Sequence, residues 1–200
     1  MIPEREAVSL VILAKDPAQA KSRLGLSSAA ARRVALLLAA TTIRTAIAAE
    51  RVGAVFVVTG DGDIARDAVA LGAHQVPEPR PVGMNSAAAL GRQYALRIRP
   101  SSPVAIMVAD LPIVRPAEIN DAVGEFLDTR RPLFVADHLG VGTTFVISGY
   151  RHSGATAFGP GSASLHRVLG YSPARLDLTG LRTDLDTRSD LLRLQATWTS

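Results

Sequence analysis

The run Val8-Ser9-Leu10-Val11-Ile12-Leu13-Ala14 constrains the fold of this chain more than any other segment. It is nearly continuous in apolar side chains, where a strand with one wet face would alternate, so it reads as a strand buried on both faces. A charged loop follows over 15–26. An Ala-rich segment of helical period then runs over 28–50, with Ser27 or Ser28 as its N-cap. Strand-length runs at 54–59, 74–76 and 104–108 alternate with helical segments at 63–71, closed by Gly72, and at 85–97 and 116–127. That alternation predicts an α/β domain with a mostly parallel sheet between helical layers. The runs 133–136 and 144–147 flank a glycine-bearing loop and fit either a hairpin or separate places in the sheet. A short helix at 162–169, a strand at 175–178 and a closing helix at 188–196 complete the expectation. Residues 1–200 show no internal repeat, low-complexity tract or linker and read as one domain.

With 48% hydrophobic and 20% charged residues in 200, disorder, collagen and a disulfide scaffold are excluded. Zero cysteines remove thiolate zinc sites and cysteine nucleophiles. No apolar run reaches the roughly 18–20 residues needed to cross a bilayer. The 8–14 run is too short for a signal-peptide core and has Glu4 and Glu6 before it, so a cytoplasmic protein is expected. The net charge of +4 comes from arginines scattered along the chain, and aromatics are only 4%, which leaves few stacking platforms for polymeric nucleic acid. Of the 22 basic residues only two are lysines, Lys15 and Lys21, and both lie in the loop after the first strand.

That loop, Lys15-Asp16-Pro17-Ala18-Gln19-Ala20-Lys21-Ser22-Arg23, places three cations where a parallel sheet binds ligands, at the carboxyl ends of its strands. It is either a solvated loop or a polyphosphate clamp, and the clustering of both lysines favours the clamp. Neither a G-x-x-x-x-G-K-[ST] loop nor a G-x-G-x-x-G turn is present, which disfavours P-loop hydrolases and dinucleotide dehydrogenases. Asp110 directly follows the 104–108 strand. Asp184 and Asp186 are spaced so that an extended chain turns both carboxylates to one side. Singly, Asp110 fits an Asx turn and Asp186 a helix N-cap as well as a metal site. Jointly, at the same edge as a cationic loop, the three fit a hard divalent cation bound to substrate phosphates. Two glycine-rich stretches, 137–144 and 158–164, let a ligand approach the main chain, and Ser162 stands where a short helix begins. His74, His138, His152 and His166 lack zinc spacing and read as surface or core residues.

In order along the chain, K-x5-K-S-R-L, A-D-L-P, F-V-A-D-x-L-G-x-G-T, F-G-P-x-S and D-x-D-T resemble the motifs of the 2-phospho-L-lactate or phosphoenolpyruvate guanylyltransferases of coenzyme F420 biosynthesis. The resemblance covers about residues 8 to 192, and its second half is the more specific. It implies a single-domain, Rossmann-like, three-layer α/β/α fold of the nucleotide-diphospho-sugar transferase type. It implies two Mg²⁺ on Asp110, Asp184 and Asp186, and an acceptor held by Thr143, Gly159 and Ser162. Lys15, Lys21, Ser22 and Arg23 would meet the GTP phosphates, with Lys21, Arg23 and Asp110 as the catalytic residues, and Asn85 and Ser86 would border the nucleoside. Met84 replaces a usual Leu, and Gly140-Val141-Gly142-Thr143 replaces G-T-G-T, a change that bears on acceptor preference. The wording of the motifs leans toward phosphoenolpyruvate over 2-phospholactate, with 3-phosphoglycerate a further alternative. A catalytically silent nucleotide-binding subunit is the reading outside enzymes, and a downstream transferase would take up the labile product. Asp61, Glu78 and Arg80 are candidates for base recognition.

Overall fold

The computed structural model describes residues 7–15, 24–80, 82–175 and 177–198. Among these, β1 (Val8–Leu13), β2 (Val52–Thr59), β3 (His74–Pro77), β4 (Val104–Val108), β5 (Leu133–Ala136), β6 (Thr143–Ser148) and β7 (Ser172–Pro173) form a seven-stranded sheet in the order β3-β2-β1-β4-β6-β5-β7. β1 pairs in parallel with β2 and β4, β2 with β3, and β5 with β7. β6 runs antiparallel to both β4 and β5, so the 137–142 loop closes a hairpin. Strand order reverses beside β1, a topological switch point where open α/β sheets place their ligands.

The first strand behaves as its sequence demands, with all six residues buried. Its side chains alternate between two cores. Leu10 and Ile12 pack with Ala39 and Ile43 of α1 (Ser28–Ile47), Ile64 of α2 (Gly62–Ala70) and Phe126 of α4 (Pro116–Thr129). Val11 and Leu13 pack on the opposite face with Ala87, Ala88 and Ala95 of α3 (Met84–Ile98) and Ala163 of α5 (Ser162–Val168). The period of two along the strand thus becomes the three-layer architecture. Gly91 lets α3 lie directly on the sheet, since a Cβ there would collide with Val11. Local signals set the helix ends: the Ser27 hydroxyl accepts from Ala30 N–H at 3.4 Å, and Gly72 follows α2 at φ +95°.

Two sequence expectations are corrected. The strand expected at 175–178 is absent among its described residues, and the pairing lies three residues earlier. There Ser172 N–H donates to Pro132 and Ala174 N–H to Phe134. Pro173 has no N–H to extend a ladder, which suits a two-residue edge strand. The chain then buries Leu178 and forms α6 (Thr179–Arg182), a turn of helix with too few residues to carry a periodic signal. The first helix ends at Ile47 rather than at 50. α7 (Arg188–Trp198) closes the chain, and its Leu194 joins Leu24, Leu38 and Leu185 in a small separate core. No helix among the described residues is long and apolar enough to cross a membrane.

Candidate active site

At the carboxyl ends of β1 and β4 opens a cleft of about 570 Å³. Its floor is Leu13–Lys15 and Val108–Asp110, one wall is the β5–β6 hairpin loop with Thr143, and the rim carries Gly159–Ser162 and the pair Asp184 and Asp186. Asp110, Thr143, Gly159, Ser162, Asp184, Asp186 and Lys15, expected from distant parts of the chain, therefore line one cavity. Lys21, Ser22 and Arg23 lie outside the described residues.

The acidic group is built by backbone bonds. Leu185 N–H donates to the Asp110 carbonyl at 3.1 Å while its side chain enters the small core, so the residues on either side of Leu185 face the cleft. The segment leading to them is pinned three ways. Glu118, buried on α4, accepts from Gly180 N–H at 2.6 Å; Thr144 Oγ1 donates to Leu181 at 2.6 Å; and Arg182 donates to the carbonyls of Ala136 and Asp137 at 3.2 and 2.9 Å. Gly180 packs so tightly against Ile113 and Glu118 that no Cβ fits. The N-cap reading of Asp186 is overturned. Thr187 and Asp190 cap α7 reciprocally, Asp190 N–H donating to Thr187 Oγ1 at 3.3 Å and Thr187 N–H to Asp190 Oδ2 at 2.8 Å.

Burial, and then the neighbouring Asp110 and Asp186 carboxylates, push the Asp184 carboxyl from 3.8 up to about 7. Like charges gathered out of water resist ionisation until a cation joins them, and this group fits a divalent metal on that ground. Among the described residues no group of three or more His, Asp or Glu side chains is placed so as to hold a metal ion. A divalent ion here would need oxygen ligands from a bound substrate beside the carboxylates. The fourth carboxylate of the cleft, Asp137, is spent on structure: it accepts from Val141 and Gly142 N–H at 2.9 and 2.8 Å and folds the glycine loop. His138 stands between Asp184 and Asp190, each ring nitrogen 3.8 Å from a carboxylate oxygen and neither within a hydrogen bond.

The Gly159–Ser162 part of the rim is suited to an anion. Ser162 Oγ is buried and has no hydrogen-bond partner, a hydroxyl waiting for one. Gly159 and Gly161 sit at φ +134° and +70°, conformations that L side chains rarely adopt. Asn85 and Ser86, expected at the nucleoside, are not part of the cleft wall, whereas Met84 is. The Asn85 amide clamps the 156–158 segment. Its oxygen accepts from Phe158 N–H and Thr156 Oγ1 at 2.8 and 2.9 Å, and its nitrogen donates to the Phe158 carbonyl at 3.0 Å. Asp61 caps α2 and pairs with Arg32 at 3.0 Å. The roles of Asp137, Asn85 and Glu118 escaped sequence reasoning. For Asp137 a signal existed, an acidic residue before closely spaced glycines, the mark of a side chain folding its own turn.

No protein-family model matches the chain. It is 42% identical to the phosphoenolpyruvate guanylyltransferase of Streptomyces scabiei over 192 residues, 92% of this chain and 88% of that protein. With the protein of the same name from Thermomonospora curvata it shares 39% over 185 residues, 92% of this chain and 81% of the other. With that of Mycolicibacterium vanbaalenii it shares 37% over 194 residues, 94% and 89% of the two chains. Among solved structures, a nucleotidyl transferase from Methanothermobacter thermautotroptrophicus superposes with TM-score 0.65 at 17% identity, covering 96% of this chain and 98% of its own. A putative nucleotide-diphospho-sugar transferase from Desulfovibrio desulfuricans gives 0.64 at 17%, covering 95% and 87%. These structural likenesses establish the fold, and the sequence identities establish the kinship: this chain belongs to the phosphoenolpyruvate guanylyltransferase family of nucleotidyltransferases.

Proposed function

We propose that this protein joins GTP to phosphoenolpyruvate, releasing pyrophosphate and forming enolpyruvyl-diphospho-5′-guanosine for coenzyme F420 biosynthesis. An acceptor phosphate oxygen attacks the α-phosphorus of GTP; the new P–O bond forms as the bond to the β-phosphate oxygen breaks, and pyrophosphate carries away the electron pair. A phosphomonoester is largely ionised near neutral pH, its second pKa being about 6, so no general base is assigned. Catalysis is positioning and charge neutralisation.

The observation that carries this reading is that one cleft brings together the Asp110, Asp184 and Asp186 carboxylates with Thr143, Gly159 and the unpartnered Ser162 hydroxyl. Asp110, Asp184 and Asp186 would hold two Mg²⁺, which when bound supply positive charge to the α-phosphate and the leaving pyrophosphate. Thr143 and Ser162 donate to the acceptor's phosphate and carboxylate oxygens, and the main chain at Gly159 admits the ligand closely. Lys15, at the cleft floor, and Lys21, Ser22 and Arg23 of the same loop neutralise and orient the triphosphate. Asn85 and Ser86 open the helix that borders the nucleoside side, where Met84 meets the cleft. A downstream transferase consumes the labile product.

The names of the relatives favour phosphoenolpyruvate over 2-phospholactate and 3-phosphoglycerate. Mass spectrometry of the products from GTP, Mg²⁺ and an equimolar mixture of the three acceptors tests the proposal. The enolpyruvyl product is expected to dominate. A lactyl or glyceryl product would move the acceptor assignment, and turnover with CTP but not GTP would overturn the guanylyl assignment.

A further inference from the structure

His166 is fully buried at the back of the acceptor wall, and both its ring nitrogens have partners. Nε2 lies 3.1 Å from the backbone N–H of Ala157, and Nδ1 lies 3.0 Å from Thr143 Oγ1. The two contacts are not equivalent. A backbone N–H can only donate, so Nε2 must accept. A neutral imidazole with an accepting Nε2 carries its proton on Nδ1. Burial lowers the pKa of this imidazole, against a weaker opposing effect of the Ser162 carbonyl, which keeps the neutral form at pH 7. Three rings fix the imidazole plane: Phe158 and Tyr171 meet it edge-on, with centroids 5.5 and 5.4 Å away, and Phe134 stacks at 6.0 Å.

The consequence falls on Thr143. A hydroxyl that accepts from Nδ1–H still has its own proton to give, and Thr143 lines the cleft. Phosphate and carboxylate oxygens of an ionised acceptor can only accept. His166 also stands on α5 one turn after Ser162 and holds Ala157, which leads into Phe158–Ser162. One imidazole therefore ties together β6, the acceptor loop and α5.

We propose that His166 is a positioning residue for the acceptor, its Nδ1–H holding the Thr143 hydroxyl as a hydrogen-bond donor into the cleft and its Nε2 anchoring the loop that carries Gly159. This rests on the assignment of Thr143 and Ser162 to the acceptor. The other tautomer would make Thr143 the donor to the ring and leave it only lone pairs to offer an anion.

The tautomer is read in the whole protein by long-range proton–nitrogen NMR correlation of the His166 ring. A protonated Nδ1 with a bare Nε2 is expected; a protonated Nε2 overturns the proposal, whether or not the enzyme turns over. Kinetics of His166→Phe, His166→Asn and Thr143→Val, singly and combined, test the route of action. His166→Phe keeps the ring and loses both nitrogens, and is expected to raise the acceptor KM about tenfold or more while the GTP KM stays within about twofold. His166→Asn returns an amide N–H near the place of Nδ1 and is expected to recover part of that loss. In the Thr143→Val background His166→Phe is expected to add a clearly smaller factor than in the wild type, that of the lost Nε2 anchor alone. Equal factors in both backgrounds, or equal rises in both KM values, overturn the proposal. Should His166→Phe fail to fold, His166→Asn against Thr143→Val makes the same comparison. A wild-type protein forming no diphospho-guanosine from any acceptor would defeat the proposed function instead, with the tautomer still deciding the state of His166.

Discussion

Leu185 N–H donates to the Asp110 carbonyl at 3.1 Å, and the bond brings two acidic segments far apart in the chain to one edge of the sheet. Because Leu185 is buried in the small core, Asp184 and Asp186 turn together into the cleft with Asp110. The result is a carboxylate group that is costly to ionise without a cation, and the first prediction follows from that cost.

The Asp184 carboxyl is raised from 3.8 to about 7 in the folded protein. The folded state thus binds a proton that the unfolded state has released, so metal-free protein is expected to lose stability as pH rises from about 4 through about 7. Mg²⁺ at pH 8 should restore it. Asp184→Asn removes the buried charge, and is expected to raise the metal-free Tm at pH 8 while lowering Mg²⁺-dependent turnover by roughly a hundredfold or more. Thermal melts from pH 5 to 8, with EDTA or Mg²⁺, check both halves. A variant that keeps full activity would remove Asp184 from the metal site.

Ser162 Oγ is buried without a partner, so its loss is not expected to cost stability. Ser162→Ala should leave Tm unchanged or slightly raised, and raise the acceptor KM by about tenfold to a hundredfold through a lost hydrogen bond to a charged group. Steady-state kinetics with each substrate varied in turn, beside a denaturation curve, separates the two effects.

Asn85 makes three hydrogen bonds to the 156–158 segment. Asn85→Ala is expected to destabilise the protein by about 1–3 kcal/mol and to raise the KM of the acceptor more than that of GTP. If the GTP KM alone rises, Asn85 serves the nucleoside, as its motif position suggests.

Lys21 belongs to the cationic loop that begins with Lys15 at the cleft floor. Lys21→Ala should raise the GTP KM by about tenfold or more, by analogy with charge-assisted phosphate contacts. Arg130, at φ +55° at the end of α4, is the control. Arg130→Gly should leave both KM values unchanged and stabilise the fold by up to about 1 kcal/mol, because glycine adopts that conformation without strain. Isothermal titration with a non-hydrolysable GTP analogue and a melting curve are the two readings.

The sequence by itself determined the elements that rest on local physics. The unbroken apolar run of β1 could only be a strand covered on both sides, the period of the Ala-rich segment made α1, and Ser27 and Gly72 marked helix ends because caps and positive-φ turns need particular side chains. Strand ends followed by Lys15 and Asp110 also pointed to the edge where the cleft opens, since a parallel sheet leaves its carboxyl ends open. Tertiary structure decided the rest. β7 pairs at Ser172 and Pro173 because β5 offers a partner there, although 175–178 reads better as a strand. Asp186 faces the cleft and not the helix cap because Thr187 and Asp190 cap each other. Asn85 reads from its motif position as a nucleoside neighbour, and His166 as a surface or core histidine, until the fold brings Phe158 and Thr143 beside them. Local periodicity and turn chemistry act over a few residues and are written along the chain. Hydrogen bonds between distant segments, and the proton positions they impose, exist only once long-range packing has fixed which backbone groups stand opposite each other.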